Sequence, residues 1–211
     1  MVEAERHFID EVEVFGMPKA VRNNVLVECA EAEEVTSGGL ILATTTVEKP
    51  NYGVVKSVGT GYRYPTTGVQ VPMVIKPGDC VIYGSYGVDE VLIDDEDHVF
   101  VSQDAVLAKV SGDYKAANVE PIYDTMLVRR DSSAEELGSG LMLSAKAQSK
   151  PNTGTILSVG NGRLMEGGEF EPIPYAVGDR VIFASTAGTP VKFEGAEHVL
   201  VRVVEVLAKV E

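Results

Sequence analysis

The sequence predicts an all-β chain built as two small antiparallel barrels or sandwiches in tandem, and three observations carry that expectation. The first is an internal repeat. Lys49-Pro50-Asn51 returns as Lys150-Pro151-Asn152, and Ser57-Val58-Gly59-Thr60-Gly61 as Ser158-Val159-Gly160-Asn161-Gly162, both 101 positions on. Val106-Leu107-Ala108-Lys109-Val110 recurs unchanged as Val206-Leu207-Ala208-Lys209-Val210, 100 positions on, so one deletion in a connecting loop accounts for the change of offset. The second is run length: short apolar runs rich in Val and Ile lie between glycine-bearing turns, which is strand spacing. The third is composition, with 21 glycines and 10 prolines in 211 residues, and no segment of sustained helical period with caps.

In chain order, residues 1–16 form an acidic N-terminal segment carrying Glu3, Glu5, Asp10, Glu11 and Glu13. It is unlike a secretory signal or an Arg/Ser-rich transit peptide, and is expected as a solvated tail or as what remains beside a targeting segment absent from the sequence. The first repeat spans 17–110 and the second 119–211, joined by a short polar linker, 111–118. Val25-Leu26-Val27-Glu28 and Met126-Leu127-Val128-Arg129 open the repeats as strands. Gly53 to Val58 and Gly154 to Val159 form the next pair. Gly78-Asp79 and Gly178-Asp179 turn the chain into Val81 to Tyr83 and Val181 to Phe183. His98 to Val101, His198 to Val201 and the two Val-Leu-Ala-Lys-Val runs close the repeats, with a single helical turn expected near Ser102-Gln103-Asp104.

Charge and reactive residues exclude several functions. The net charge of -14 opposes nucleic acid, which needs a cationic face, and gives no support for an anionic membrane surface. No run reaches the roughly 18–20 apolar residues of a membrane span. Cys29 and Cys80 have no metal-ligand spacing and read as reduced thiols. His7 lies in the acidic segment, and His98 and His198 occupy one repeat position, which favours structure over a metal or general-base role. Gly160-Asn161-Gly162 lacks a phosphate-loop context, and Asp94-Asp95-Glu96-Asp97 lacks the calcium-loop pattern. No enzyme, cofactor or metal is expected.

Two stretches remain without a role in either core: Gly38-Gly39-Leu40-Ile41-Leu42 and Gly138-Ser139-Gly140-Leu141-Met142-Leu143. Each places an apolar tripeptide directly after glycine inside a run of Glu, Ser, Thr and Lys. An ordinary strand after a glycine turn is one reading, favoured by the neighbouring threonines. Burial of Leu40, Ile41 and Leu42, and of Leu141, Met142 and Leu143, in another molecule's groove is the other. Recurrence at one place in the repeat favours the second.

The ordered string resembles the GroES-type co-chaperonins. It runs from an opening strand through the polar loop with Gly-Gly-Leu-Ile-Leu, Lys-Pro-x-x-Gly, Val-Gly-x-Gly and Gly-Asp-x-Val-Ile-(Tyr/Phe) to Leu-Ala-Lys-Val. Two such units in one chain are similar to the tandem co-chaperonin of plastids. The resemblance implies two irregular Greek-key β-barrels that cap an ATP-dependent, GroEL-like chaperonin ring of the 60-kDa class, with nucleotide bound by the partner and none by the cap. It implies that the two tripeptides enter the ring's apolar groove from mobile loops, whose glycines are Gly38, Gly39, Gly138 and Gly140. Hairpins near Tyr62 to Met73 and Leu164 to Phe170 would roof the chamber, and Tyr86 would be the cap aromatic, with Ala187 in its place in the second repeat. It further implies a homo-oligomer of three or four chains, located in the chloroplast stroma or alternatively the cytoplasm. A GroES-like catalytic domain of a dehydrogenase would need zinc-ligand Cys/His and a dinucleotide domain, and both are missing from the sequence.

Overall fold

The protein is described by a computed structural model over residues 6–30, 51–131 and 152–210. Its regular structure there is β-strand with single 3₁₀ turns, one of them at Gln103–Ala105, where a lone turn is expected. The chain divides into two compact units, Met1–Tyr64 with Gln70–Val106, and Pro65–Val69 with Leu107–Glu211.

In the first unit the acidic segment is a hairpin, β1 (Arg6–Ile9) with β2 (Val12–Phe15). Asp10 and Glu11 at its tip both have positive φ, 45° and 71°, as a two-residue primed turn requires. The sequence reading by charge overlooks it because the acidic residues mask a Phe8-Ile9 and Val14-Phe15 pair of apolar arms. β3 (Asn24–Cys29) follows, then β4 (Tyr52–Val58), a small separate hairpin of β5 (Tyr62–Arg63) and β6 (Gln70–Val71), then β7 (Cys80–Tyr83), β8 (Val88–Ile93) and β9 (Glu96–Ser102). The strands are ordered β7-β4-β3-β9-β8-β1-β2. Val25, Leu26 and Val27 of central β3 are all fully buried, as an unbroken apolar run in a strand covered on both faces should be.

In the second unit β10 (Val106–Val110, all but its first residue) pairs antiparallel with β11 (Val119–Pro121). Then come β12 (Thr125–Arg130), β13 (Thr153–Val159), the hairpin of β14 (Arg163–Leu164) and β15 (Phe170–Glu171), β16 (Arg180–Phe183), β17 (Thr189–Phe193), β18 (Ala196–Arg202) and β19 (Val206–Val210). Their order, β17-β18-β12-β13-β16-β19, repeats the β8-β9-β3-β4-β7 order of the first unit. Even the irregularity is copied: the β3–β4 register shifts between Leu26 and Val27, and the β12–β13 register between Leu127 and Val128.

The core of the second unit gathers Met126, Val128, Ile156, Val181, Phe183, Val199 and Val201. Their repeat counterparts Val25, Val27, Val55, Val81, Tyr83, Val99 and Val101 are buried in the first. The repeats diverge where the cysteines stand. Cys29 Sγ lies 3.5 Å from the Tyr83 hydroxyl, whereas its counterpart Arg130 stacks over Phe183 at 5.0 Å. Cys80 is replaced by Arg180, whose Nη2 donates to Asp131 Oδ2 at 2.7 Å. The thiols sit on β3 and β7 with β4 between them. Two ladder spacings put their Cα atoms about 9–10 Å apart, beyond the roughly 7 Å reach of a disulfide.

Candidate functional site

Of the residues singled out for recognition, Leu40, Ile41, Leu42, Gly38 and Gly39, with Leu141, Met142, Leu143, Gly138 and Gly140, lie outside the described residues. Their points of attachment are described. The segment 31–50 leaves from the end of β3 and returns at the start of β4, where Ala30 N–H donates to Tyr52 O at 3.0 Å. The segment 132–151 leaves β12 and returns at β13, where Asp131 N–H donates to Thr153 O, also at 3.0 Å. Asn51 O and Asn152 O each accept at 2.9 Å from the neighbouring strand, from Tyr83 N–H and Phe183 N–H. Hydrogen bonds to the Thr153 side chain and then to Arg180 hold the Asp131 carboxyl below the ordinary carboxylate range. Both roots are therefore closed in the same way.

Tyr86 stands beside the first root. Asn51 Nδ2 donates to Ser85 Oγ at 2.8 Å, and the next side chain, Tyr86, is 92% exposed. Its turn ends at Gly87 with φ +69°. The counterpart Ala187 is buried, so only the first repeat presents an aromatic ring at this place. Hairpins stand where the resemblance places them, as β5–β6 and β14–β15.

The two repeated histidines are buried, at 2% and 4% exposure. His98 Nδ1 lies 3.0 Å from Glu96 O, and His198 Nδ1 3.1 Å from Ala196 O. Their cross-strand neighbours differ, because His98 pairs with Glu28 and His198 with Arg129. Burial pushes the His198 pKa below its ordinary value of 6.5; the bond to Ala196 opposes this and the Arg129 charge adds to it. A base with a lowered folded pKa binds its proton more readily in the unfolded chain, so stability is full above about pH 6.5 and falls as pH drops through the folded pKa. The urea midpoint of the second unit should therefore decrease between pH 7.5 and pH 5, and His198→Gln should flatten that decrease. An unchanged pH dependence in the variant would remove His198 as its source.

Comparison with known proteins gives a consistent result. A family model described as the chaperonin 10 kDa subunit matches residues 18–110 and again residues 118–210. The chain is 29% identical over 191 residues to the 20 kDa chaperonin, chloroplastic, of Arabidopsis thaliana, covering 90% of this chain and 74% of that protein. It is 28% identical, with the same coverage, to the protein of that name from Spinacia oleracea. The co-chaperonin GroES of Alcanivorax borkumensis is 37% identical over 94 residues, which is 44% of this chain and 98% of the bacterial protein.

Proposed function

The chain belongs to the chaperonin 10 family, as two GroES-like β-barrels in tandem, and from that premise we propose that it caps a chaperonin ring through two sets of apolar tripeptides. It is a co-chaperonin. Its partner is a GroEL-class ring in the nucleotide-bound state, and folding of client proteins proceeds in the chamber it closes. Leu40-Ile41-Leu42 and Leu141-Met142-Leu143 are the docking residues, Gly38, Gly39, Gly138 and Gly140 supply the hinge, and Tyr86 marks the first domain's cap surface. The working domains are 17–110 and 119–211. The plastid named for the two tandem relatives is the proposed compartment, in preference to the cytoplasm. The observation that carries the docking role is the equivalence of the two roots: each tripeptide lies in a polar segment inserted between the same pair of hydrogen-bonded strands.

Magnitudes explain why two sets are needed. Burying three aliphatic side chains is worth about 5–9 kcal/mol, and ordering five loop residues costs about 1–2 kcal/mol each. One loop alone binds weakly; several held on one cap convert later contacts into intramolecular ones. Leu40→Asp with Leu42→Asp, or Leu141→Asp with Leu143→Asp, should sharply reduce inhibition of the chaperonin ATPase, and all four together should abolish it. Circular dichroism should stay unchanged. A folded fourfold variant that still caps the ring would overturn the docking role.

Assembly follows from a contrast inside the chain. Val106–Val110 and Val206–Val210 have the same sequence, yet Leu107 is 6% exposed and Leu207 69%, and Val110 6% against 36% for Val210. The first copy is covered by its ladder to β11, Ala108 to Pro121 and Val110 to Val119. The second copy, β19, is the last strand of its sheet. The repeat counterpart of β11 is the segment Pro18-Lys19-Ala20. It is held by Ser57 Oγ, which donates to Pro18 O at 3.2 Å, much as Ser158 Oγ donates to Val119 O at 3.3 Å. We assign β19 of one chain to the Pro18-Lys19-Ala20 segment of the next, a head-to-tail contact that closes into a ring of three or four chains.

A further inference from the structure

We propose that Glu28, Glu96 and His98 form a transition-metal site, of the kind that takes Zn²⁺, present in the first repeat and lost from the second. One ligand atom from each residue lies within 4.8 Å of the others, and His98 Nε2 is 3.8 Å from Glu28 Oε2. The histidine is poised as a ligand. Its Nδ1 is engaged by the Glu96 carbonyl at 3.0 Å, which fixes the tautomer with the Nε2 lone pair free, the arrangement that orients metal-ligating histidines. His98 is 2% exposed, and among the described residues Nε2 has no hydrogen-bond partner. A buried acceptor left unpaired is costly, and an ion on Nε2 would satisfy it.

One nitrogen and two carboxylates, with water as the fourth ligand, suit tetrahedral Zn²⁺. Calcium needs six to eight oxygens. Ligand atoms around zinc stand about 3.3 Å apart, from bond lengths of about 2.0–2.2 Å. Small movements of the Glu28 and Glu96 side chains, half-buried and exposed respectively, would close the set. Lys56 Nζ pairs with Glu28 Oε2 in the metal-free chain and is the cation that the metal displaces. The second repeat has the same buried histidine with the same carbonyl bond, but Arg129 and Ala196 replace the two carboxylates. That repeat is a control within the same molecule.

Isothermal titration of the full chain with Zn²⁺ tests the proposal, alongside the melting temperature with and without the metal. His98→Gln and Glu96→Ala should each weaken binding at least about tenfold and remove the metal-dependent rise in melting temperature, while His198→Gln should change neither. Glu96→Ala places at an exposed position the residue found at its counterpart, so it carries the test even if His98→Gln fails to fold. Absence of Zn²⁺ binding, or binding unchanged by Glu96→Ala, would overturn the site. Binding lost on His7→Gln but kept on Glu96→Ala would assign the ion to the His7–Asp94 pair, whose Nδ1 to Oδ2 distance is 2.6 Å, and would equally overturn it.

Discussion

Leu207→Asp is expected to leave the chain folded and break its assembly, whereas Leu107→Asp should unfold it. The two leucines occupy the same position of an identical pentapeptide, so their intrinsic propensities cancel and only surroundings differ. Leu107 is buried in β10, and Ile122 N–H donates to its carbonyl at 2.9 Å. A carboxylate there loses the transfer energy of a buried leucine and strands a charge, a cost of about 4 kcal/mol or more against a total stability of about 5–15 kcal/mol. Leu207 is largely exposed in the single chain, where its replacement costs little. In a ring it would lose about 2–3 kcal/mol of burial at every joint, at least about 30-fold in each association constant. Analytical ultracentrifugation with circular dichroism separates the outcomes. A Leu207→Asp chain that sediments as the wild type would disprove the assigned joint.

The second large effect concerns Gly53, where β3 and β4 approach more closely than a side chain permits. A Cβ at Gly53 would stand 2.1 Å from Glu28 O and 2.8 Å from Val27 Cγ1; at Gly154 it would stand 2.4 Å from Arg129 O and 2.7 Å from Val128 Cγ1. The nearest opposing atom at each position is a backbone carbonyl oxygen within a sheet, so relief requires separating strands rather than only turning a rotamer. Gly53→Ala and Gly154→Ala should each cost about 3 kcal/mol or more and lower the melting temperature by about 10 °C or more. Gly167, where an added Cβ meets nothing within 4 Å, is the control: Gly167→Ala should stay within about 0.5 kcal/mol. A neutral Gly53→Ala would contradict the close approach.

Much of the architecture was legible because duplication prints each strand twice. Val25-Leu26-Val27 is ambiguous alone; aligned with Met126-Leu127-Val128 and followed by matching glycine turns, it reads as a central strand. Strands β8 and β17 were harder to see. Val88 to Ile93 and Thr189 to Phe193 share little sequence, and an edge strand needs only a partial apolar face. The N-terminal hairpin was hidden by its charge. Different surroundings for Leu107 and Leu207 could not be read from identical residues, since burial is set by what lies alongside. For His98, repetition points to scaffold, and what the proposed metal site adds is a difference in neighbours, Glu28 and Glu96 in the first repeat against Arg129 and Ala196 in the second. The tripeptides proposed to dock were marked by contrast, three apolar residues in a polar run, and that proposal rests on the family and the roots.

The N-terminal hairpin has a consequence for aggregation. Ile9 pairs with Ile93, Asp10 N–H donates to Leu92 O, and Asp94 N–H donates to Phe8 O, so β1 pairs with the last residues of β8, whose sequence Val-Asp-Glu-Val-Leu-Ile contains no proline or lysine. The corresponding strand of the second unit, β17, is the last of its sheet among the described residues but carries Pro190 and Lys192, residues that deter a foreign strand from joining. The two halves thus treat the same border differently, one pairing the end of the strand with a hairpin and the other carrying proline and lysine in the strand itself. A chain shortened to begin at the first repeat would leave the last residues of β8 without that pairing before it lost any of its core.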